Sequence, residues 1–280
     1  MEPYKILDDI TTLPPAPQVL PRLLQVLGDP DTDTSDIVDL ITFDPALTTR
    51  LLRACNSAFL ASSTPVKDVS EAVSRLGMNA IYRMVAAVHG SRTLRPSCRD
   101  WGINPDTMWP HAVTTALAAQ LLARDNNEDE GVAFTAGLLH DLGKIVLAES
   151  FKDQYAETLA DPNVNPVFAY GAEKRRFGVD HGEMGGRLLS RWKFPTAIIT
   201  SVWHHHEPGQ GDTFDRLSAC LTLANAIAHE VGQGGASAGM SDEEATAFRL
   251  LNISRDRLQN YIEETKENYA FVQTLCRAAA

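Results

Sequence analysis

The stretch GLLHDLGK, residues 137–144, sets a histidine directly before an aspartate at the end of an apolar helical run. Such a pair can bind a metal, can form an internal salt bridge, or can be the remnant of a site that no longer works. Consecutive side chains in mid-helix diverge by about 100°. At a helix end, with Gly143 following, His140 and Asp141 are able to turn toward one ion.

Outward from this stretch, almost every periodic segment repeats at about 3.6 residues, and no strand-length alternation of β-branched residues occurs. The expected fold class is all-α, a multi-helix bundle. Residues 18–30 read as a first helix stopped by Gly28 and Pro30, and 34–43 as a second. Asp44-Pro45 then supplies an N-cap and a first-turn proline for a third. Residues 68–77 and 78–90 form a pair, with Gly77 as the C-terminal glycine between them.

After the polar connection 91–105 a new helix is expected near Met108, running from Trp109 to Arg124. Further helices are read as one ending at GLLHDLGK, one around HGEMGGRLLSRW (181–192), one through PTAIITSVWHHH (195–206), and one over 214–232. A glycine-rich linker, 232–239, follows. Ser241 and Glu244 then make a capping box for a final pair of helices. The last carries Leu258, Tyr261, Ile262, Tyr269, Val272 and Leu275 on one face, to pack on the body or to form a homo-oligomer contact. The chain thus divides into an N-terminal helical part at 1–105, a second helical subdomain at 106–232, and linker with C-terminal helices at 233–280.

Composition narrows the function. The formal net charge is −11, and residues 1–100 carry 10 Lys or Arg against 12 Asp or Glu. Neither figure suits phosphate-backbone binding, so the helix pairs near Asp44 and Gly77 are read as core helices rather than helix-turn-helix elements. Cys55, Cys98, Cys220 and Cys276 form no CxxC pair and suit reduced thiols. The first residues show no signal-peptide pattern, and no apolar run approaches the roughly 18 residues of a membrane span. The expected location is cytoplasmic, without a membrane partner.

Seven of the eight histidines lie after residue 110. His111 falls in line with Ala118 and Leu122 on a small apolar face. His140 and Asp141 end one helix, His181 heads another beside Gly182, Gly185 and Gly186, and His205 and His206 precede Glu207-Pro208. A single histidine on an apolar face is usually a core residue. Five on four helices, all near helix ends, suggest one convergent metal site: His111, His140, Asp141, His181, His205 and His206. Imidazoles with one carboxylate suit Fe, Mn, Zn or Ni. A divalent ion with an open position would give phosphohydrolase chemistry, with Asp141 and Lys144 as its candidate catalytic side chains. Lys144 reads equally as a solvated lysine at a helix end.

In order along the chain, LPPAPQVLPRLL, FDPALTTRLLRACNSAF, VSEAVSRLG, WPHAVTTALAAQLLA, GLLHDLGK, FGVDHGEMGGRLLSRWKFP and HHHEP resemble the motifs of the HDOD (HD-related output domain) family. This family is a branch of the HD superfamily of metal-dependent phosphohydrolases. The resemblance covers roughly residues 10–230 and makes the subdomain at 106–232 HD-like. It implies that His111, His140 and Asp141 match three superfamily metal ligands. The fourth, an aspartate, falls in LTLANAIAHE, where this chain has Asn225. His181, His205 and His206 resemble the additional histidines of the HD-GYP phosphodiesterases, yet HHHEPGQGDTF lacks the GYP tripeptide.

The resemblance therefore implies a signal-transduction module of bacterial regulators, non-catalytic, acting through a signalling protein partner and retaining a metal or ligand pocket. The alternative is an active metal-dependent phosphohydrolase acting on a nucleotide or phosphoester. Nucleic-acid binding is a third reading, disfavoured by charge.

Overall fold

The computed structural model describes residues 66–77, 105–164, 169–209, 215–232 and 241–278, with single positions at 38, 41, 42, 48, 49, 51, 52, 55, 56, 80, 81 and 103. Every regular element among the described residues is helical, as the 3.6-residue periodicity requires. The helices read at 18–30, 34–43, 45–58 and 78–90, the Asp44-Pro45 cap and the linker 232–239 lie mostly or wholly outside the described residues. The described residues fall into two compact units, within Leu94–Lys266 and within Pro15–Thr93 plus Glu267–Ala280.

In the second of these units, α1 (Val69–Leu76) starts at Asp68, whose carboxylate accepts from the Glu71 N–H at 2.8 Å. It ends at Gly77, where φ is 79° and the amide donates to the Val73 carbonyl. That left-handed conformation suits a residue without Cβ, as expected for this glycine.

The first unit is built on α2 (Pro105–Asp125), α3 (Glu130–Leu139), α4 (Leu142–Phe151), α5 (Asp153–Ala160), α6 (Ala169–Phe177), α7 (His181–Arg191), α8 (Thr196–Trp203), α9 (Asp215–Glu230), α10 (Asp242–Leu251) and the start of α11 (Arg255–Ala278). Helix α3 is central, with Ala133 to Leu139 all buried and α2, α8 and α9 packed around it. Helix α7 packs on both α4 and α8, and α9 on α2, α8 and α10. Small residues set a close crossing: a Cβ on Gly137 would lie 2.6 Å from the Ala116 Cα, so α2 and α3 meet at backbone distance. Capping fixes the ends. Asp129 accepts from Val132 N–H and Asp180 from Glu183 N–H, both at 2.9 Å, and the Ser241–Glu244 capping box forms in both directions.

Several boundaries differ from the sequence reading. Helix α2 begins at Pro105 rather than near Met108, so His111 sits in its second turn. Pro105 supplies the pre-set φ of a first helical residue, and Pro110 lies inside the helix. Helix α8 ends at Trp203, leaving His205 and His206 in the turn beyond it. The helical run does not stop at GLLHDLGK: α4 resumes at Leu142, and α5 and α6 follow. The break between α4 and α5 is at Lys152, at φ 43°, with no glycine or proline to mark it. The stretch Glu130–Phe151 has the length and hydropathy of a membrane span, against expectation, but 83% of its most apolar window is buried within the protein.

Candidate metal centre

The centre starts at the junction of α3 and α4. His140, at φ −57° and ψ −35°, continues the helical path, while Asp141, at φ −93° and ψ 5°, departs from it. The two side chains therefore escape the divergence that consecutive helical residues show. His140 Nε2 and Asp141 Oδ1 lie 3.4 Å apart, with both residues buried.

Gly143 lets the next element approach. A Cβ at this position would overlap the His181 carbonyl and sit 2.7 Å from the Gly185 amide, so the first turns of α4 and α7 touch through backbone. On the neighbouring face of α7, Gly182 and Gly186 admit Trp203 at the end of α8: Cβ atoms there would lie 2.9 Å from its carbonyl and 2.7 Å from its ring. The glycines of HGEMGG thus carry the turn 204–206 to the N-terminus of α7.

The result is two triads. His111, His140 and Asp141 form one, and His181, His205 and His206 the other; within each, one ligand atom per residue lies within 4.8 Å of the others. Asp141 faces both. Its Oδ1 is 3.4 Å from His140 Nε2 and 3.4 Å from His181 Nε2, and its Oδ2 is 3.8 Å from His111 Nε2. Lys144 Nζ donates to the same Oδ2 at 2.8 Å. All six residues expected to bind metal are in this one region.

Hydrogen bonds to the far ring nitrogens assign the tautomers. His140 Nδ1–H donates to the Gly137 carbonyl and His205 Nδ1–H to the Val202 carbonyl, both at 2.7 Å. Their Nε2 atoms are then lone-pair acceptors; both are buried without a hydrogen-bond partner. His181 Nδ1 donates to Glu173 Oε2 at 2.6 Å, and its Nε2 lies 2.8 Å from His206 Nε2. Burial pushes the His140 pKa well below its ordinary value and that of His205 down to about 3, so both rings are neutral at pH 7. Burial alone would raise the Asp141 carboxyl, but the surrounding histidines and the Lys144 ammonium outweigh it and hold the group well below the usual carboxylate range.

The lone pair of His140 Nε2 consequently faces the Asp141 carboxylate with no proton between them. Acceptors do not converge in a buried site unless a cation reconciles them. The donor set, neutral imidazoles around one carboxylate, fits a divalent ion of the borderline class. When bound, such an ion supplies Lewis acidity and lowers the pKa of a coordinated water.

Three supporting residues were not anticipated. Glu173 on α6 is fully buried and accepts from the His181 amide at 2.8 Å, from the His181 ring, and from Tyr155 OH at 2.9 Å. This carboxylate–histidine arrangement orients His181 Nε2 toward Asp141. Tyr170 stacks on His206 at 4.2 Å and 12°, and its hydroxyl donates to Glu243 Oε1 at 2.8 Å. His229 on α9 brings its ring centre to 4.7 Å from that of His111. A cleft beside the centre is lined by Tyr170, His205, His206, Asn225, Glu243 and Glu244 among others. The only sequence signal for Glu173 is an acidic residue in a polar helix eight positions before His181.

Comparison with known proteins places this geometry. The HDOD domain family matches residues 13–208. The chain belongs to the HDOD family. A relative, an uncharacterized protein of Treponema pallidum (strain Nichols), is 29% identical over 226 residues, 79% of this chain and 43% of its own length. The chain thus spans less than half of that relative. Among solved structures, a candidate phosphohydrolase of Shewanella amazonensis SB2B superposes with a TM-score of 0.72 at 23% identity, over 99% of this chain and 97% of its own. A candidate signal transduction protein of Marinobacter aquaeolei VT8 gives 0.76 at 22%, over 95% of this chain and 60% of its own. At these identities the two structures establish the shared helical fold.

Proposed function

We propose that the protein is an HDOD regulatory module whose buried centre holds divalent metal, and that it transmits a signal through contact with a partner protein rather than by hydrolysis. The observation that carries the metal is the convergence of ligand atoms: Asp141 Oδ1 lies 3.4 Å from Nε2 of both His140 and His181, and within each triad the ligand atoms lie within 4.8 Å of one another. In this reading Asp141 is shared by two ions, with His111 and His140 on one and His181, His205 and His206 on the other.

The cleft supports the regulatory side. Among its lining residues there is no Lys or Arg, while Glu243 and Glu244 contribute carboxylates that repel a phosphoester. Lys144 is tied to Asp141 and is not among the lining residues. The neutral Asn225, where the superfamily has aspartate, further reduces the charge that would hold and activate a metal-bound water. Names among the structural relatives include both a signal transduction protein and a phosphohydrolase.

The hydrolytic reading is kept by one feature, the proximity of His205 and His206 to that cleft. A panel of phosphomonoesters, phosphodiesters and nucleotides, assayed with protein loaded with Mn²⁺, Fe²⁺, Zn²⁺ or Ni²⁺, separates the two. The regulatory reading predicts no turnover above the His140→Ala variant. Turnover that the variant abolishes would make the protein an enzyme.

A further inference from the structure

Where it stands, His206 is too close to its neighbours to share an ion with them. Two imidazoles on one ion, with bonds of about 2.1 Å at angles from a right angle to the tetrahedral value, need nitrogens roughly 3.0–3.4 Å apart and ring centres about 4.6 Å apart or more. His206 Nε2 lies 2.8 Å from His181 Nε2, and its ring centre is 3.9 Å from that of His205. The His181–His205 pair, at 5.4 Å between centres, has the room. A contact of 2.8 Å between two imidazole nitrogens is a hydrogen bond, one donating and the other accepting, which sharing an ion must replace.

Two of the three rings are tied down. His181 gives its Nδ1–H and its amide to Glu173, at 2.6 and 2.8 Å. His205 donates from Nδ1 to the Val202 carbonyl at 2.7 Å, and its own carbonyl lies 2.7 Å from the Thr222 hydroxyl. His206 has no such tether among the described residues, so it is the ring that yields. Tyr170 covers it, stacked at 4.2 Å and 12°. The hydroxyl of the same tyrosine donates to Glu243 Oε1 at 2.8 Å, in the first turn of α10. At the other end of α10, Arg216 on α9 donates to the Leu250 carbonyl at 3.2 Å. We infer that Tyr170 couples the second triad to α10: as His206 turns to share an ion with His181 and His205, the stacked Tyr170 ring moves with it, and its hydroxyl leaves Glu243. Occupancy of the triad is thereby read out as a loosened first turn of α10, while the Leu250 end stays pinned.

The coupling rests on the metal reading of the centre, and its test tells the two failures apart. The chain is stripped with chelator and titrated with Co²⁺; the ligand-field spectrum follows binding, and hydrogen exchange of residues 241–251 follows α10. In wild type the α10 amides should exchange about fivefold faster or more once Co²⁺ is bound. Coupling is reciprocal, so Tyr170→Phe, which keeps the stacked ring and loses the hydroxyl, should bind that ion about two- to tenfold more tightly, a gain that misfolding cannot produce. Its α10 should exchange fast with or without Co²⁺. His205→Ala should abolish the α10 response, and His111→Ala, in the other triad, should keep it. Wild type that binds Co²⁺ with unchanged exchange in α10, or a Tyr170→Phe chain that responds as wild type does, would overturn the coupling and leave the centre standing. No Co²⁺ bound by wild type would overturn the centre itself, and the coupling with it.

Discussion

At the scale of single residues, the centre depends on groups that hold the ligands in place. Glu173 is the clearest, a fully buried carboxylate with three donors, two of them from His181. Burial would raise its pKa, but His181 reverses the effect and keeps it ionised. Glu173→Ala would strand the Tyr155 hydroxyl and release His181. The expected cost is on the order of 3–5 kcal/mol in urea unfolding, against about 1 kcal/mol for Tyr155→Phe. Similar losses for the two variants would deny Glu173 its orienting role. The cysteines offer a separate check. Burial raises the Cys55 thiol to about 11 and Cys220 to about 12, so neither carries thiolate at neutral pH. Both should resist iodoacetamide at pH 7.5 until the protein unfolds, as read by mass spectrometry. Cys98 and the side chain of Cys276 lie outside the described residues.

The site histidines were legible at this scale because ligand-type residues crowded near helix ends are rare by chance. Glu173, Tyr170 and His229 were not. Glu173 sits among the charges of EKRR, where a buried carboxylate and a solvated one look alike in sequence. His229 lies in an alanine-rich helix and becomes interpretable only when α9 is seen against α2.

Among elements, glycine placement decides how closely helices approach, and the sign of a Gly→Ala change follows from what the new methyl meets. Alanine gains roughly 0.5–1 kcal/mol over glycine by helix propensity alone. At Gly143 that gain is overwhelmed, since the Cβ would run into the His181 backbone. Gly143→Ala should destabilise by about 3 kcal/mol or more and separate the two triads. Gly171 in α6 is the contrast: its nearest neighbour would be the flexible Arg175 guanidinium at 3.5 Å. Gly171→Ala should therefore stabilise by a few tenths to about 1 kcal/mol. Thermal melts of the two variants moving in the same direction would contradict this account of the helix crossings.

The same scale explains which elements the sequence revealed. Strong caps and apolar stripes mark α1, α3, α7, α9 and α10, and the Ser241–Glu244 box was readable outright. The start of α2 was misplaced because Pro105 reads as the end of the polar connection 91–105, although it holds the first helical position. Helices α4, α5 and α6 escaped because α4 follows a two-residue break and α5 begins after Lys152, where tertiary packing rather than a breaker residue sets the turn.

For the molecule as a whole, a cluster of buried neutral histidines makes stability depend on pH even without metal. His205 has a pKa of about 3 in the folded chain against 6.5 in its unperturbed state. Between those values the unfolded chain binds the proton and the folded one does not, so stability present above pH 6.5 is lost as pH falls. Each such histidine contributes about 1.4 kcal/mol per pH unit across that window, and His140 acts in the same direction. In chelator, urea unfolding should therefore show stability declining from pH 6.5 toward 5, with His205→Gln reducing the slope. An equal slope in the variant would mean that the ring is not neutral in the fold.

The measurement that bears most directly on the central claim is the metal content of the protein purified without chelator, by elemental analysis, for wild type, His140→Ala and His205→Ala. A shared Asp141 between two triads predicts about two equivalents of a divalent metal in wild type and a loss in each variant. A wild-type protein with no metal that also takes up none on reconstitution would contradict it, and would make the convergent histidines a purely structural cluster.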